Sequence, residues 1–291
     1  MSVQEQNIKL HYPHQRMWLI AILLIATAMY APTFASLWRR WMADTQYCIA
    51  PVVPFVSGYF VWRKWPEICK TSHVPSQWGL GLIVLGLLVH LMGVVTDVSG
   101  GSDISILLTL TGGCIYFFGN AITRMLAFPL AYLAFAIPIP GGLLDLIGFP
   151  LQLAGSRLTE HILQLLQIDA SRSGVNLSVP GYEFQVALAC SGLSSLVALL
   201  GVTAVFAYLT RLPVLYKWIL FFLALPIALA ANTIRITTIA LVGYWWGPDT
   251  ANHIYHHWSS PLLFLAAVCL LLVINRGFEW LSRRPTTSSS S

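Results

Sequence analysis

Charge is what this chain has least of. Only 9% of its 291 residues are Asp, Glu, Lys or Arg, while 57% are hydrophobic. Soluble domains carry roughly 25% charged residues, so a soluble fold of this length is excluded. What remains is an all-α polytopic membrane protein, one helical bundle rather than two soluble-sized domains. Cysteine is sparse and scattered. Cys48, Cys69, Cys114, Cys190 and Cys269 form no CxxC motif and no metal-ligand pairing, which argues against a disulfide framework. All but Cys190 read as small apolar packing residues. No internal repeat is visible. The net charge of +5 does not point to nucleic acid, because most basic residues mark loops between apolar runs.

A bilayer core of ~30 Å takes about 20 apolar residues per helix. The sequence offers about eight such transmembrane helices, at 17–37, 47–62, 78–95, 104–119, 124–139, 186–209, 217–246 and 258–275. The second, fourth and fifth are short and contain Gly or Pro, so a re-entrant segment belongs among these if anywhere. The first is long enough to span and no Ala-x-Ala-like site follows it, so it reads as a membrane helix and not a cleaved signal. Residues 1–16 and the Ser-rich 276–291 are then short tails, the latter disordered, around a single transmembrane domain at 17–275.

Orientation follows from the basic residues. With the N-terminus inside, the inner segments hold Lys9, Arg16, Arg63, Lys64, Lys70, Arg124, Arg211, Lys217, Arg276, Arg283 and Arg284. The outer ones hold only Arg39, Arg40, Arg157 and Arg172. Both termini are expected in the cytoplasm. One outer segment, from Pro140 to Gln185, is long. Leu143–Ile168 has helical spacing interrupted by Gln152, Arg157, Glu160, His161 and Gln164, which predicts an amphipathic helix lying on the outer surface. The alternation around Pro180-Gly181 predicts a small β-hairpin just before the sixth span.

Three groups stand out against this apolar background. Cys190 lies in Ala189-Cys190-Ser191-Gly192-Leu193, at the outer start of the sixth span. Arg235 lies inside the seventh, about 27 Å from Lys217 at 1.5 Å per residue. His253, His256 and His257 precede the eighth. The topology brings all three to one outer face. A thiolate is a nucleophile, a guanidinium stabilises a thiolate or an oxyanion, and a histidine moves the proton. Ser191 and Gly192 allow a substrate backbone to approach the thiol. Asn232, one turn before Arg235, is placed to orient the guanidinium or bond a substrate amide. An arginine inside a span costs roughly 2.5–3.5 kcal/mol to insert, which makes function its default reading; snorkelling or an outer acidic partner is the structural alternative. The histidines are otherwise a solvated loop. A metal site from them lacks an acidic partner other than Asp249, so none is expected, and no cofactor is required.

At these residues the sequence resembles the exosortase/archaeosortase family of membrane cysteine transpeptidases. Phe128-Pro129 through Pro138-Ile139-Pro140 is similar to that family's proline-bearing helix, Cys190-Ser191-Gly192-Leu193 to its nucleophile motif, Asn232-Thr233-Ile234-Arg235 to its Asn-x-x-Arg helix, and His256 through Ser259 to Phe264 to its histidine boundary. The sequence departs from the pattern at Ser194, where Arg is frequent, at Ser260, where Gly is common, and at Tyr47-Cys48 in place of a Ser-His pair. The resemblance implies that Cys190 is the nucleophile, Arg235 the cationic stabiliser and His256 the acid/base, with His253 and His257 as local competitors. It implies a catalytic transmembrane domain in a bacterial-type inner membrane, with its site at the outer, periplasmic face. It further implies substrates that are exported, membrane-anchored proteins with a C-terminal sorting signal of short motif, transmembrane helix and basic cluster, and a separate acceptor. Two rival readings remain open on the residues alone: a transporter in which Arg235 binds an anion, and a non-catalytic component of an export or polysaccharide assembly.

Overall fold

The computed structural model describes residues 13–43, 47, 49–96, 100–186, 192–251 and 259–282. The chain runs through α1 (Pro13–Ala43), α2 (Val53–Ile68), α3 (Trp78–Val95), α4 (Gly101–Met125), α5 (Ala127–Tyr132) and α6 (Gly141–Leu165). Three strands follow: β1 (Ser171–Ser173), β2 (Asn176–Val179) and β3 (Tyr182–Gln185). The chain ends with α7 (Leu193–Leu209), α8 (Val214–Trp246) and α9 (Ser259–Ser282). Among the described residues, four helices are long and apolar enough to cross a membrane: α3, α4, α8 and, over Leu262–Trp280, α9. A fifth crossing results if the bent pair Ala127–Ala136 and Gly141–Leu165 counts as one broken span. The protein is thus a mostly helical membrane protein with one small sheet.

The α3–α4 hairpin shows how apolar helices associate where no hydrophobic effect drives them. Lipid tails are as apolar as Leu, so helices need small residues for close backbone approach. Gly79, Gly86 and Gly93 repeat every seven residues on one face of α3 and meet α4 in antiparallel order. A Cβ on Gly79 would run into the backbone at Gly112 and Tyr116, one on Gly86 into Thr109, and one on Gly93 into Ser102. From the reverse side, a Cβ on Gly112 would sit 2.8 Å from the Ile83 nitrogen. Helix α1 is tied to this pair by polar groups. Tyr30 shares a 2.9 Å hydrogen bond with Thr109 Oγ1, Ser105 Oγ donates to Tyr30 Oη at 3.1 Å, and the Tyr30 and His90 rings lie 4.5 Å apart. Nearer the outer end predicted for these helices, Arg40 pairs with the buried Asp103 at 2.8 Å.

Several expectations change. The helix expected at 47–62 begins later, at Val53, after a 3₁₀ turn at Ala50–Val52; Pro51 and Pro54 supply no N–H and suit a helix start, not a helix interior. The run at 124–139 is not one helix. α5 passes into a 3₁₀ turn at Leu133–Ala136, and Ile137 is extended (φ −84°, ψ 122°), as expected of a residue before a proline. The hairpin is a three-stranded antiparallel sheet, β1-β2-β3, with Arg172 opposite Leu177 and Leu177 opposite Phe184. Helix α6 forms as predicted, but its polar residues do not all face outwards. Gln152, Ser156 and Thr159 are buried on one face with Gly155 and Leu163. That face packs on α8: Gly155 meets Asn232 and Ile236, and Thr237 Oγ1 donates to Thr159 at 3.4 Å. Contacts therefore advance along both helices together, and α6 runs beside α8. The sequence showed the breaks in apolarity; it did not show that a second helix would satisfy them.

The glycine face gives a direct test. Gly86→Leu is expected to force α3 and α4 apart and cost several kcal/mol, because overpacking alone costs roughly 1–3 kcal/mol and backbone atoms are in the way here. A melting curve of detergent-purified protein would show a large drop, whereas Gly81→Leu, with nothing within 4 Å, should melt like wild type.

Candidate active site

Helix α8 is the axis of the site. Its 33 residues amount to ~50 Å at 1.5 Å per residue, longer than the ~30 Å hydrocarbon core. Its middle is wrapped on several sides. α7 and α9 cover one flank through Leu193, Leu196, Leu199, Ala224, Ala228, Ala267 and Leu271. α6 covers another. The sheet closes the third, through Leu177, Val179 and Tyr182 against Ile236, Ile239 and Ala240. Within this wrapping Asn232 and Arg235 are buried, at 4% and 7% relative exposure. A narrow pocket between α7, α8 and α9 reaches them, walled by Ser195, Leu199, Ala228 and Phe264.

The start of α7 fits against α8 by way of one glycine. Gly192 is the N-cap residue and has φ +79°, in the left-handed region that only glycine adopts freely. A Cβ there would also lie 2.9 Å from both Cβ and Cγ of Asn232. Gly192, the last residue of the Cys-Ser-Gly motif, therefore rests directly on Asn232, one helical turn from Arg235. Gly192, read from sequence with Ser191 as room for a substrate, has this second role: close approach of the start of α7 to α8.

On the other side of the motif the chain is held as well. Gln152 on α6 donates from Nε2 to the Val186 carbonyl at 3.2 Å, and Val186 N–H donates to Val175 O at 3.0 Å. The sheet that delivers this strand is seated on the upper part of α8, where the Tyr182 ring occupies the space a Gly243 side chain would need. Arg172 joins it to α6 by a 3.1 Å ion pair with Glu160, and donates a 2.6 Å hydrogen bond to Gly174 O in the turn between β1 and β2.

Of the residues singled out from sequence, the structure brings Gly192, Asn232 and Arg235 together. Cys190, Ser191, His253, His256 and His257 lie outside the described residues. What is described is where their flanks are. Val186, four residues before Cys190, and Ala251, five before His256, belong to one buried cluster with Ile236 and Ile239 of α8. Sequence reasoning missed Gln152, Gly155 and Ser195. The first two were legible as part of a small and polar stripe at 152, 155, 156 and 159, spaced for one helix face; Ser195 carried no signal of its own. Among the described residues no group of three or more His, Cys, Asp or Glu could hold a metal ion.

Gly192→Ala tests the fit. Left-handed backbone costs a non-glycine residue about 1–2 kcal/mol, and Asn232 must also move. In a variant whose only cysteine is Cys190, the alkylation rate of that thiol should change and the melting temperature fall. Adding Asn232→Ala should recover part of the melting loss but none of the backbone term. Unchanged melting and labelling in Gly192→Ala would refute the packing described.

No curated protein and no solved structure matches the chain. The family model described as transmembrane exosortase matches residues 38–273, a span that takes in α2 to α8, most of α9, and every residue of the candidate site. With Gly192, the last residue of the Cys-Ser-Gly motif, resting on Asn232 inside that span, this chain belongs to the transmembrane exosortase family.

Proposed function

We propose that the chain is a cysteine protease–transpeptidase that cleaves the C-terminal sorting signal of exported proteins at the outer face of the inner membrane. Family membership supports a membrane transpeptidase. The observation that carries the finer reading is the convergence on α8. Gly192, two residues after Cys190, rests on Asn232, and two residues of extended chain reach at most ~7 Å. The thiol is thereby kept close to the helix that bears Arg235. The flank of the histidine loop, Ala251, is buried in the cluster that also holds Val186.

In the proposed reaction His256 takes the Cys190 proton. The thiolate attacks the carbonyl carbon of a peptide bond in the signal. Arg235 stabilises the negative charge, first on sulfur and then on the tetrahedral oxyanion. The positive end of α7, which begins three residues after Cys190, favours the same anions. As the intermediate collapses, the C–N bond breaks and the imidazolium delivers its proton to the departing amine. The substrate is left as a thioester on Cys190. A nucleophile from a separate acceptor, or water, then attacks the thioester carbonyl. His256 accepts the proton of that nucleophile, and the thiolate leaves and is reprotonated. Asn232 orients the guanidinium or bonds the substrate amide, and Ser191 and Gly192 line the approach. No metal or cofactor takes part.

The same reading has about eight crossings, with α1, α2, the broken α5 segment and α7 added to the four long apolar helices, and both termini in the cytoplasm. The distribution of Lys and Arg supports that orientation. The signal's short motif would meet the site beside the sheet and α6, while its transmembrane helix stays in the bilayer.

The test is processing, in the native membrane, of a tagged protein that carries the three-part signal. Cys190→Ala and Cys190→Ser should both abolish cleavage, and wild type should form a hydroxylamine-sensitive adduct with the substrate. Arg235→Lys keeps the charge but not the planar fork and should lower the rate by about 10²–10³, the range for losing one oxyanion contact. His256→Gln should be inactive, while His253→Gln and His257→Gln remain near wild type. Full processing by Cys190→Ala would remove the nucleophile and bring forward a transporter or a non-catalytic assembly component.

A further inference from the structure

Far from Arg235, the α3–α4 hairpin and α5 enclose a second feature that the reaction does not use. Helix α4 breaks at Gly119, whose φ of +81° and ψ of 174° are not helical. The break is enforced by the chain: the Val74 carbonyl occupies the position a side chain at 119 would take. Beyond it, residues 120–125 turn away from the axis of α4 and lead into α5. A groove of about 560 Å³ opens between the body of α4 and α5. Its wall is mostly apolar, with Leu108, Ile115 and Leu130 along its length and Thr111 among them, and Asn120 and Arg124 lie together past the break. Thr123, beside them, already donates its hydroxyl to Gly119 O at 2.9 Å.

The electrostatics of this end are of one sign. Arg124 takes part in neither of the two ion pairs found among the described residues, and no carboxylate lines the groove. Lys64 on α2 is close by, donating to the carbonyl of Met125 at 3.0 Å. Because α4 is one of the four helices long and apolar enough to cross a membrane, Arg124 at its end sits at headgroup depth, and the apolar wall sits at acyl-chain depth. A spanning helix, roughly 10 Å across and 30 Å long, is several times too large for the volume. A groove of a few hundred Å³ with an apolar wall and a few convergent polar groups has the form of a small-molecule site, and basic pockets between membrane helices bind anionic headgroups.

We propose that this groove is a specific site for one anionic glycerophospholipid, with an acyl chain along Leu108, Ile115 and Leu130 and the phosphate at Arg124. The site does not rest on the catalytic reading and survives its failure. Bound there, the lipid fills the space opened by the Gly119 break and ties α5, which leads to the Pro138-Ile139-Pro140 segment, to the α3–α4 hairpin.

The experiment uses full-length protein in detergent, delipidated and then titrated with phosphatidylglycerol or with phosphatidylcholine of the same chains. Binding is read by native mass spectrometry and by melting temperature. Wild type should bind phosphatidylglycerol about fivefold more tightly, the effect of one basic residue beside an anionic lipid, and melt higher with it. Arg124→Gln should lose that preference while binding phosphatidylcholine as before, and Arg124→Lys should restore most of it. Ala131→Trp, which fills the groove from α5, should lower the affinity for both lipids. Equal affinity of wild type for the two lipids would overturn the proposal, as would a preference that persists in Arg124→Gln. If Ala131→Trp changes the oligomeric state and leaves lipid binding intact, the groove is a protein interface and the lipid site is refuted.

Discussion

A guanidinium inside a membrane helix has to be surrounded by protein. Inserting Arg at the centre of a span costs roughly 2.5–3.5 kcal/mol, and Arg235 is 93% buried in the wrapping of α8. The rest of the fold can be understood as the means of building that wrapping. α7 and α9 supply the apolar side. α6 supplies a polar face that a lipid-exposed helix could not carry. The sheet supplies a further wall, over Ile236, Ile239 and Ala240.

The contacts that assemble this wrapping depend on what is missing from side chains as much as on what is present. Gly155 lets α6 approach Asn232 and Ile236, Gly192 lets the turn before α7 do the same, and Gly243 makes room for Tyr182. Each lies at an interface with α8. The separate α3–α4 hairpin uses the same device at Gly79, Gly86, Gly93 and Gly112. Between apolar helices in lipid, close backbone approach takes over the part that hydrophobic burial has in water. The membrane domain thus has two tightly packed units, one around the arginine and one around α3 and α4, with α5 and its extended Pro138–Pro140 continuation running between them.

Fixing both flanks of the Cys190 segment has a chemical consequence. Held flanks suit a group that has to be placed within a few tenths of an ångström, as the nucleophile of the proposed reaction does. Here the segment departs from Val186, which is bonded to Gln152 and to β-sheet neighbours, and ends at Gly192 against Asn232. Gln152 belongs to α6, so this helix is a support for the segment that leads to the motif.

The membrane class, most of the helices, the family, and a buried Arg235 were legible in the sequence, for a physical reason. Apolar runs of span length and a lone arginine within one of them report the cost of placing each residue in lipid, and that cost depends on the residue itself. The run after Arg124 read as one continuous helix because composition does not record where backbone N–H groups are lost. The direction of α6 and the third strand were hidden, because Gln152, Ser156, Thr159 and Arg172 are polar in any list of residues and become interior or paired only when α8, β2 and Glu160 are beside them. The sequence by itself determined which groups the protein has to bury and how often it crosses from polar to apolar. Only the tertiary structure decided which surfaces bury them, since burial is a property of two surfaces in contact and those surfaces come from segments far apart in the chain, such as Thr159 and Thr237, 78 residues apart.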